Sequence, residues 1–182
     1  MKPIYKVIDK QLTAKMTAEL DNVSNYMKEC MEKAKEFVPA LSSVAVSKCP
    51  FSGKHNITGL ILDEDADISL FKKVSTTKDG SEIFVPKRNS KKAKELDKKL
   101  SFIGDGVMLF DNKKFEEDLG YNPKQREVFE GNYLTINSLR LAYSKKKDSD
   151  KPTFVFQGYD GYAPNERVQE ITISEYNALF RG

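Results

Sequence analysis

An apolar repeat near the start of the chain is the feature that most constrains the fold. Its members recur at steps of three and four residues, which places them on one face of a helix: Leu12, Met16, Leu20, Val23, Met27, Cys30, Ala34 and Phe37. Asp9 or Thr13 could cap the helix, and Pro39 ends it because proline disfavours helical geometry at the residue before it. The sequence therefore predicts a helix of about 25 residues, roughly 38 Å long.

From Leu41 the pattern changes to alternating, β-branched residues, which indicates strands. SSVAVSK and HNITGLILD predict one hairpin. LFKKVSTTKDGSEIFVPKR, with its Lys-Asp-Gly-Ser turn, predicts either a second hairpin or an exposed loop that returns as a strand. GVMLF, YLTINSLRLAY and TFVFQGY predict further strands. Thr172 or Ser174 would cap a short C-terminal helix with the sequence ISEYNALF.

A second amphipathic helix is predicted from about Ser90 to Phe102, with its apolar face formed by Ala93, Leu96, Leu100 and Ile103 and its end at Gly104. Together these elements predict an α+β fold, with an antiparallel or mixed sheet of about five or six strands packed by the long N-terminal helix and the shorter middle helix. A chain of 182 residues is typical of one domain, so we expect residues 1–182 to form a single globular unit. The apolar stripe of the long helix could alternatively pair with a second copy, giving a homodimer.

Composition excludes several functional classes. The net charge of +3 is too small for a uniformly basic nucleic-acid-binding domain. A single histidine, His55, removes multi-histidine metal sites, and neither a P-loop nor a G-x-G-x-x-G motif is present. Cys30 and Cys49 are too few for a disulfide scaffold and are read as reduced thiols. We therefore predict no cofactor, and lean towards a protein that is not an enzyme.

The hydropathy pattern gives no sign of a membrane protein. No apolar run approaches the roughly 18 residues needed to span a bilayer, and the N-terminal segment MKPIYKVIDK lacks an apolar signal-peptide core. We expect a cytoplasmic protein without a membrane partner.

The start of the middle helix carries an unusual concentration of lysines. Between Pro86 and Lys99 there are seven basic and two acidic residues, a local net charge of +5. Cations at a helix N-terminus oppose the helix dipole, at a typical cost of about 0.3–1 kcal/mol each. A phosphate would reverse that cost by binding the free first-turn N–H groups and the neighbouring side chains. The sequence thus predicts a phosphate-binding site formed by Lys87, Arg88, Ser90, Lys91 and Lys92, although a solvated lysine-rich face would have the same pattern.

Two other segments offer candidate functional residues. GYDGYAPNER contains Tyr159, Tyr162 and Arg167, whose rings and guanidinium could close over a bound base; ordinary loops whose tyrosines pack on the core have the same composition. GLILDEDAD places Asp63, Asp65 and Asp67 after an apolar strand, where carboxylates often begin a divalent-metal site. An exposed acidic turn is the simpler interpretation of that second segment.

FVPKRNSKKAKELDKKL, together with the lysine-rich N-terminal helix entered from IYKVID, resembles segments of small uncharacterised proteins carried by bacteriophages and prophages. The resemblance implies an accessory role in the cytoplasm of a bacterial host, such as blocking a defence by binding or sequestration. It supplies no catalytic residues.

Three hypotheses follow. The first is a non-enzymatic binding protein for a phosphate-bearing ligand, either a nucleic acid or a nucleotide. The second is a metal-dependent nuclease or phosphoesterase that uses the acidic segment. The third is an inhibitor that binds a host protein.

Overall fold

A computed structural model describes residues 2–48, 54–105, 109–122, 139–146 and 151–181. The described helices are α1 Lys10–Phe37, α2 Lys91–Lys99, α3 Ser101–Asp105 and α4 Ile173–Phe180, with a 3-10 turn at Asn112–Phe115. The described strands are β1 Ile4–Val7, β2 Leu41–Lys48, β3 His55–Leu62, β4 Phe71–Thr76, β5 Glu82–Pro86, β6 Ala142–Ser144, β7 Thr153–Gln157 and β8 Val168–Ile171.

The predicted long helix is present as α1, with 28 residues. Asp9 caps it, because its carboxylate accepts the Leu12 N–H at 2.7 Å. The predicted apolar face is buried at Leu12, Met16, Cys30 and Ala34, but Phe37 at the C-terminal end is 41% exposed.

The chain forms two compact units. Unit 1 takes the described residues of Met1–Asp21, Cys49–Lys54 and Phe110–Gly182, and unit 2 takes those of Asn22–Lys48 and His55–Leu109. The boundary between them falls within α1. The single-domain prediction remains a prediction, because this division does not test whether the units unfold together.

Unit 2 contains an antiparallel sheet in the order β2-β3-β5-β4, built from the two predicted hairpins. The second hairpin turns at Gly80, whose φ of 90° suits glycine. Its core combines one face of α1, the inner face of the sheet and the apolar face of α2, and includes Cys30, Ala34, Val44, Ile57, Leu60, Phe84, Leu96, Leu100 and Ile103. The long helix therefore packs on a sheet, as predicted.

Unit 1 contains an antiparallel sheet in the order β6-β7-β1-β8. Tyr5, Tyr121, Phe156, Tyr159 and Tyr162 form an aromatic cluster beside it, with ring centroids 4.9–6.1 Å apart. The α4 helix begins with a capping box, in which the Thr172 hydroxyl and the Glu175 carboxylate each accept the backbone N–H of the other residue. Thr172, one of the two predicted caps, therefore takes that role.

The α+β class and the antiparallel pairing are confirmed. The described strands form two sheets of four, however, and not one sheet of five or six. The difference arises because β1 pairs with β7 and β8, near the other end of the chain, and the alternation within one strand does not indicate its partner.

The structure corrects some local predictions, and others fall partly outside the described residues. The middle helix breaks at Leu100, the C-cap of α2, and Gly104 lies within α3. Of the predicted strand GVMLF, residues 106–108 lie outside the described part, while Leu109 and Phe110 are not in a strand. Of YLTINSLRLAY, residues 133–138 also lie outside it, and β6 begins at Ala142. Cys30 is a free, buried thiol, and Cys49 is not among the described residues.

Within the described ranges, no helix combines the length and the apolar character that crossing a membrane requires.

Candidate anion-binding surface

The start of α2 has the geometry of a capped helix N-terminus. Ser90 is extended, with φ −138° and ψ 159°, and its hydroxyl accepts the Ala93 N–H at 3.2 Å. The Ser90 carbonyl accepts the Lys94 N–H at 3.0 Å. The N–H groups of Lys91 and Lys92 have no acceptor among the described residues, so two donors of the first turn remain available to a ligand.

The β4–β5 hairpin positions this helix start. Phe71 pairs with Pro86 at the end of the hairpin, and the Lys87 N–H donates to the Leu70 carbonyl at 2.8 Å. The chain then turns through Arg88 into the Ser90 cap. Because Ala93 and Leu96 are buried in unit 2, the opposite face of α2 with its lysines points to solvent.

The predicted basic residues are not equally available. The Arg88 guanidinium lies 3.2 Å from the Asp97 carboxylate, with Arg88 73% and Asp97 24% exposed. By contrast, Lys87, Lys91 and Lys92 form no ion pair within 4.0 Å in the part of the chain that the structure describes. Arg88 is thus already engaged, and the three lysines are the better ligand groups.

Asp67 is a second acidic neighbour of the helix start. Its carboxylate accepts the Ser69 N–H at 3.0 Å. The pKa of Asp67 is lowered, first by its bonds from Ser69 and to a smaller extent by the nearby charge of Lys92. The Asp67 carboxylate therefore compensates part of the positive charge at the helix start, and the sequence around that start did not indicate this.

Lysines continue along the exposed face of α2. Lys91, Lys94 and Lys98 recur at steps of three and four, so they form one stripe about 10 Å long at 1.5 Å per residue. Glu95 lies on the same side, but within the described residues it forms no ion pair with Lys94 or Lys98. The Lys99 ammonium instead lies 5.0 Å from the centre of the Phe37 ring, which partly covers that exposed aromatic.

Lys72 on β4 is a basic residue that the sequence prediction missed. It is exposed and pairs in register with Val85, two residues before Lys87. Counting outward from the Lys-Asp-Gly-Ser turn would place Lys72 opposite Pro86, because the register shifts by one residue between Lys73 and Ser75.

Tyr159 and Tyr162 lie in unit 1 and are 3% and 8% exposed. The Tyr162 hydroxyl donates to the Leu119 carbonyl at 2.6 Å, and the Tyr159 hydroxyl accepts the Asn122 N–H at 3.3 Å. Burial raises the pKa of Tyr162 well above its ordinary value, and the neighbouring tyrosines add to the shift. These two rings are core groups of unit 1, so neither presents a face for stacking on a ligand.

Arg167 also lies in unit 1 and is bound internally. Its guanidinium donates to the Asp118 carbonyl at 2.7 Å and lies 3.7 Å from the Asp118 carboxylate. The structure places the five predicted residues of the helix start together in unit 2 and the other three in unit 1. A role for Arg167 in binding stays a prediction.

The acidic segment does not form a metal centre in this structure. Asp63, Asp65 and Asp67 are all exposed. Among the described residues, no group of three or more His, Cys, Asp or Glu side chains is arranged to hold a metal ion. The geometry therefore offers no support for the metal-dependent hydrolase hypothesis.

Comparison of the chain with protein-family models, with curated proteins and with solved structures gives no match.

Proposed function

We propose that this protein is a non-enzymatic binding protein for phosphate-bearing ligands, and that the start of α2 is its binding surface. The observation that carries the proposal is the capped first turn, where two N–H donors without acceptors coincide with Lys87, Lys91 and Lys92, which have no ion-pair partners among the described residues. A phosphate there would accept those N–H groups and neutralise cations that oppose the helix dipole.

An extended nucleic acid fits this surface better than a single nucleotide. The stripe of Lys91, Lys94 and Lys98 begins in the first turn and carries the positive charge about 10 Å along the helix. A nucleic-acid strand carries about one phosphate per 3.4 Å of helix axis, so the stripe matches about three nucleotides. Electrostatic tracking of a phosphate backbone does not require an exposed aromatic ring for base stacking, so it is compatible with the core positions of Tyr159 and Tyr162.

The biological role follows from the resemblance of FVPKRNSKKAKELDKKL to phage and prophage accessory proteins. We propose that binding sequesters or masks a nucleic acid or nucleotide in a bacterial host, and so counters a host defence. This role needs only affinity and no catalytic group.

The direct test measures binding of fluorescein-labelled 15-nucleotide single-stranded DNA, the matching RNA, the duplex and a labelled nucleotide by anisotropy at several salt concentrations. Three to five phosphate contacts predict a log–log salt slope of about −2 to −4 for a nucleic acid. The variant Lys91→Glu/Lys92→Glu should lose most of this affinity and make the slope shallower by about 1.5–2.

The matched control is Lys28→Glu/Lys33→Glu, which makes the same charge change at exposed positions of α1. The control should bind like the unmodified protein. Unchanged binding by the α2 variant, or an equal loss in both variants, would contradict the site. A shallow slope with binding of the nucleotide alone would replace nucleic acid by nucleotide as the ligand.

A further inference from the structure

A groove of about 700 Å³ opens on unit 2, at a place that the proposed phosphate site does not use. One wall is the segment that follows β3, with Asp63, Glu64 and Ile68. The other wall is the β4–β5 turn and the start of β5, with Asp79 and Glu82. Its volume is within the range of about 300–1,000 Å³ that is typical of ligand-binding clefts.

The charge of the groove is opposite to that of the α2 surface. Four carboxylates line it, two from each wall, and none of its described lining residues is basic. Asp79 is fixed in the turn by the Thr77 hydroxyl and the Ser81 N–H, and Glu82 is paired with Lys73 at 3.1 Å. No partner is seen in the described chain for the Asp63 and Glu64 side chains, so their charges are available.

Apolar groups lie between the two acidic walls. Ile61, Leu62 and Phe84 contribute to the lining, and Ile68 is 50% exposed beside them. Covering a large, half-exposed apolar side chain within a concave acidic surface removes it from water, and so favours binding of a partner. A bare metal ion or a free polyamine would not cover it.

We propose that this groove docks a basic segment of another protein, in which lysine or arginine side chains flank an apolar residue. The cationic side chains pair with Asp63 and Glu64 on one wall and reach the carboxylates of the opposite wall, and the apolar residue packs on Ile68. Charge complementarity selects this occupant, since Asp63, Glu64 and Asp79 have no cationic partner within the described residues and would repel both a nucleic acid and an acidic peptide. The same chain would then hold a polyanion and a basic protein segment on two separate surfaces of opposite charge.

The test uses a fluorescein-labelled peptide, Gly-Lys-Arg-Leu-Lys-Arg-Gly, and measures its dissociation constant by anisotropy. Asp63→Asn/Glu64→Gln removes two charges without breaking an internal side-chain bond, and should weaken binding by about three- to tenfold. Ile68→Ser should weaken it by about threefold or more, since it removes the apolar contact. Glu32→Gln/Glu36→Gln, which makes the same charge change on the exposed face of α1, should leave binding unchanged.

Circular dichroism spectra and melting curves of the three variants establish that each is folded. Equal binding by all of them would overturn the proposal, as would an equal loss in the groove and control variants. If Ile68→Ser has no effect and spermine displaces the peptide completely, the groove attracts cations in general and the peptide assignment is overturned. Self-association of the protein that Asp63→Asn/Glu64→Gln abolishes would assign the groove to a second copy instead.

Discussion

Charge reversal at the start of α2 should stabilise the ligand-free protein while it removes binding. Lys91 and Lys92 occupy the first two helical positions after the Ser90 cap, and their N–H groups have no acceptor in the described chain. Each charge in a first turn is worth about 0.3–1 kcal/mol, so replacing two unfavourable lysines by two favourable glutamates gains about 1–4 kcal/mol before offsets.

Two offsets reduce that gain. A glutamate at position 91 would lie one turn from Glu95, a like-charge pair that costs about 0.2–0.5 kcal/mol. A glutamate at position 92 would replace the attraction between Lys92 and Asp67 by a repulsion, which reduces the gain further. We expect a net increase of about 0.5–2 kcal/mol in the free energy of unfolding, or about 2–6 °C in Tm for a chain of this size.

Thermal and urea unfolding, followed by circular dichroism at low salt, measure this change. Lys28→Glu/Lys33→Glu is again the control, because it makes the same charge change inside α1, away from a helix terminus. It replaces two attractive i,i+4 pairs, Lys28 with Glu32 and Glu29 with Lys33, by like-charge pairs, so it should lower the free energy of unfolding by about 0.8–2 kcal/mol. The stability gain of the α2 variant should shrink in 1 M salt, where exposed charges are screened. A lower Tm for Lys91→Glu/Lys92→Glu, or an equal rise in the control, would refute the dipole argument.

Three further substitutions test contacts that stabilise the two units. Gly59→Ala would place a Cβ 2.4 Å from Ile83 Cγ2, so we expect a loss of about 1–3 kcal/mol in urea unfolding. Tyr162→Phe removes the buried hydrogen bond to the Leu119 carbonyl and should lower the free energy of unfolding by about 1–3 kcal/mol. Because folding raises the pKa of Tyr162 above 10.0, its contribution to the free energy of unfolding is present below pH 10.0 and is lost as the pH rises further. Melting curves at a series of pH values measure this loss. Ser90→Ala removes the α2 cap and should cost about 0.5–2 kcal/mol in the same unfolding assay.

These three predictions have separate controls. Unchanged stability in Gly59→Ala would mean that β3 and β5 separate readily at this position. Tyr143→Phe alters an exposed ring and should have little effect; an effect equal to that of Tyr162→Phe would contradict the burial argument. Ser24→Ala changes an exposed serine inside α1 and should not lower stability, so a loss there equal to that of Ser90→Ala would argue against the cap.

The spacing of apolar residues and the identity of the capping residue correctly predicted features that depend on neighbouring residues in the chain. The four apolar residues that the spacing places on one face, Ala93, Leu96, Leu100 and Ile103, are all buried, although the helix breaks at Leu100 and Ile103 lies in α3; Ser90 caps α2 at the predicted start. These features depend on side-chain direction and on N–H groups within one or two turns, which the sequence contains completely.

Long-range packing decided the rest. The sequence could not show that β1 joins β7 and β8, because alternation gives each strand two faces but no partner. For the same reason the sequence left open whether the tyrosines of GYDGYAPNER contact a ligand or pack on the core, and only the structure shows that Tyr159 and Tyr162 fill the core of unit 1 with rings from three other segments.

The proposed phosphate site shows both contributions together. The sequence alone determined that lysines crowd the start of a short helix, because cap, spacing and charge are all local. Only the tertiary structure decided that Asp97 engages Arg88, that Asp67 approaches Lys92, and that Lys87 and Lys91 keep their charges free of ion pairs within the described residues. Electrostatic pairing depends on distance in space, and folding sets that distance between residues that the chain itself keeps apart.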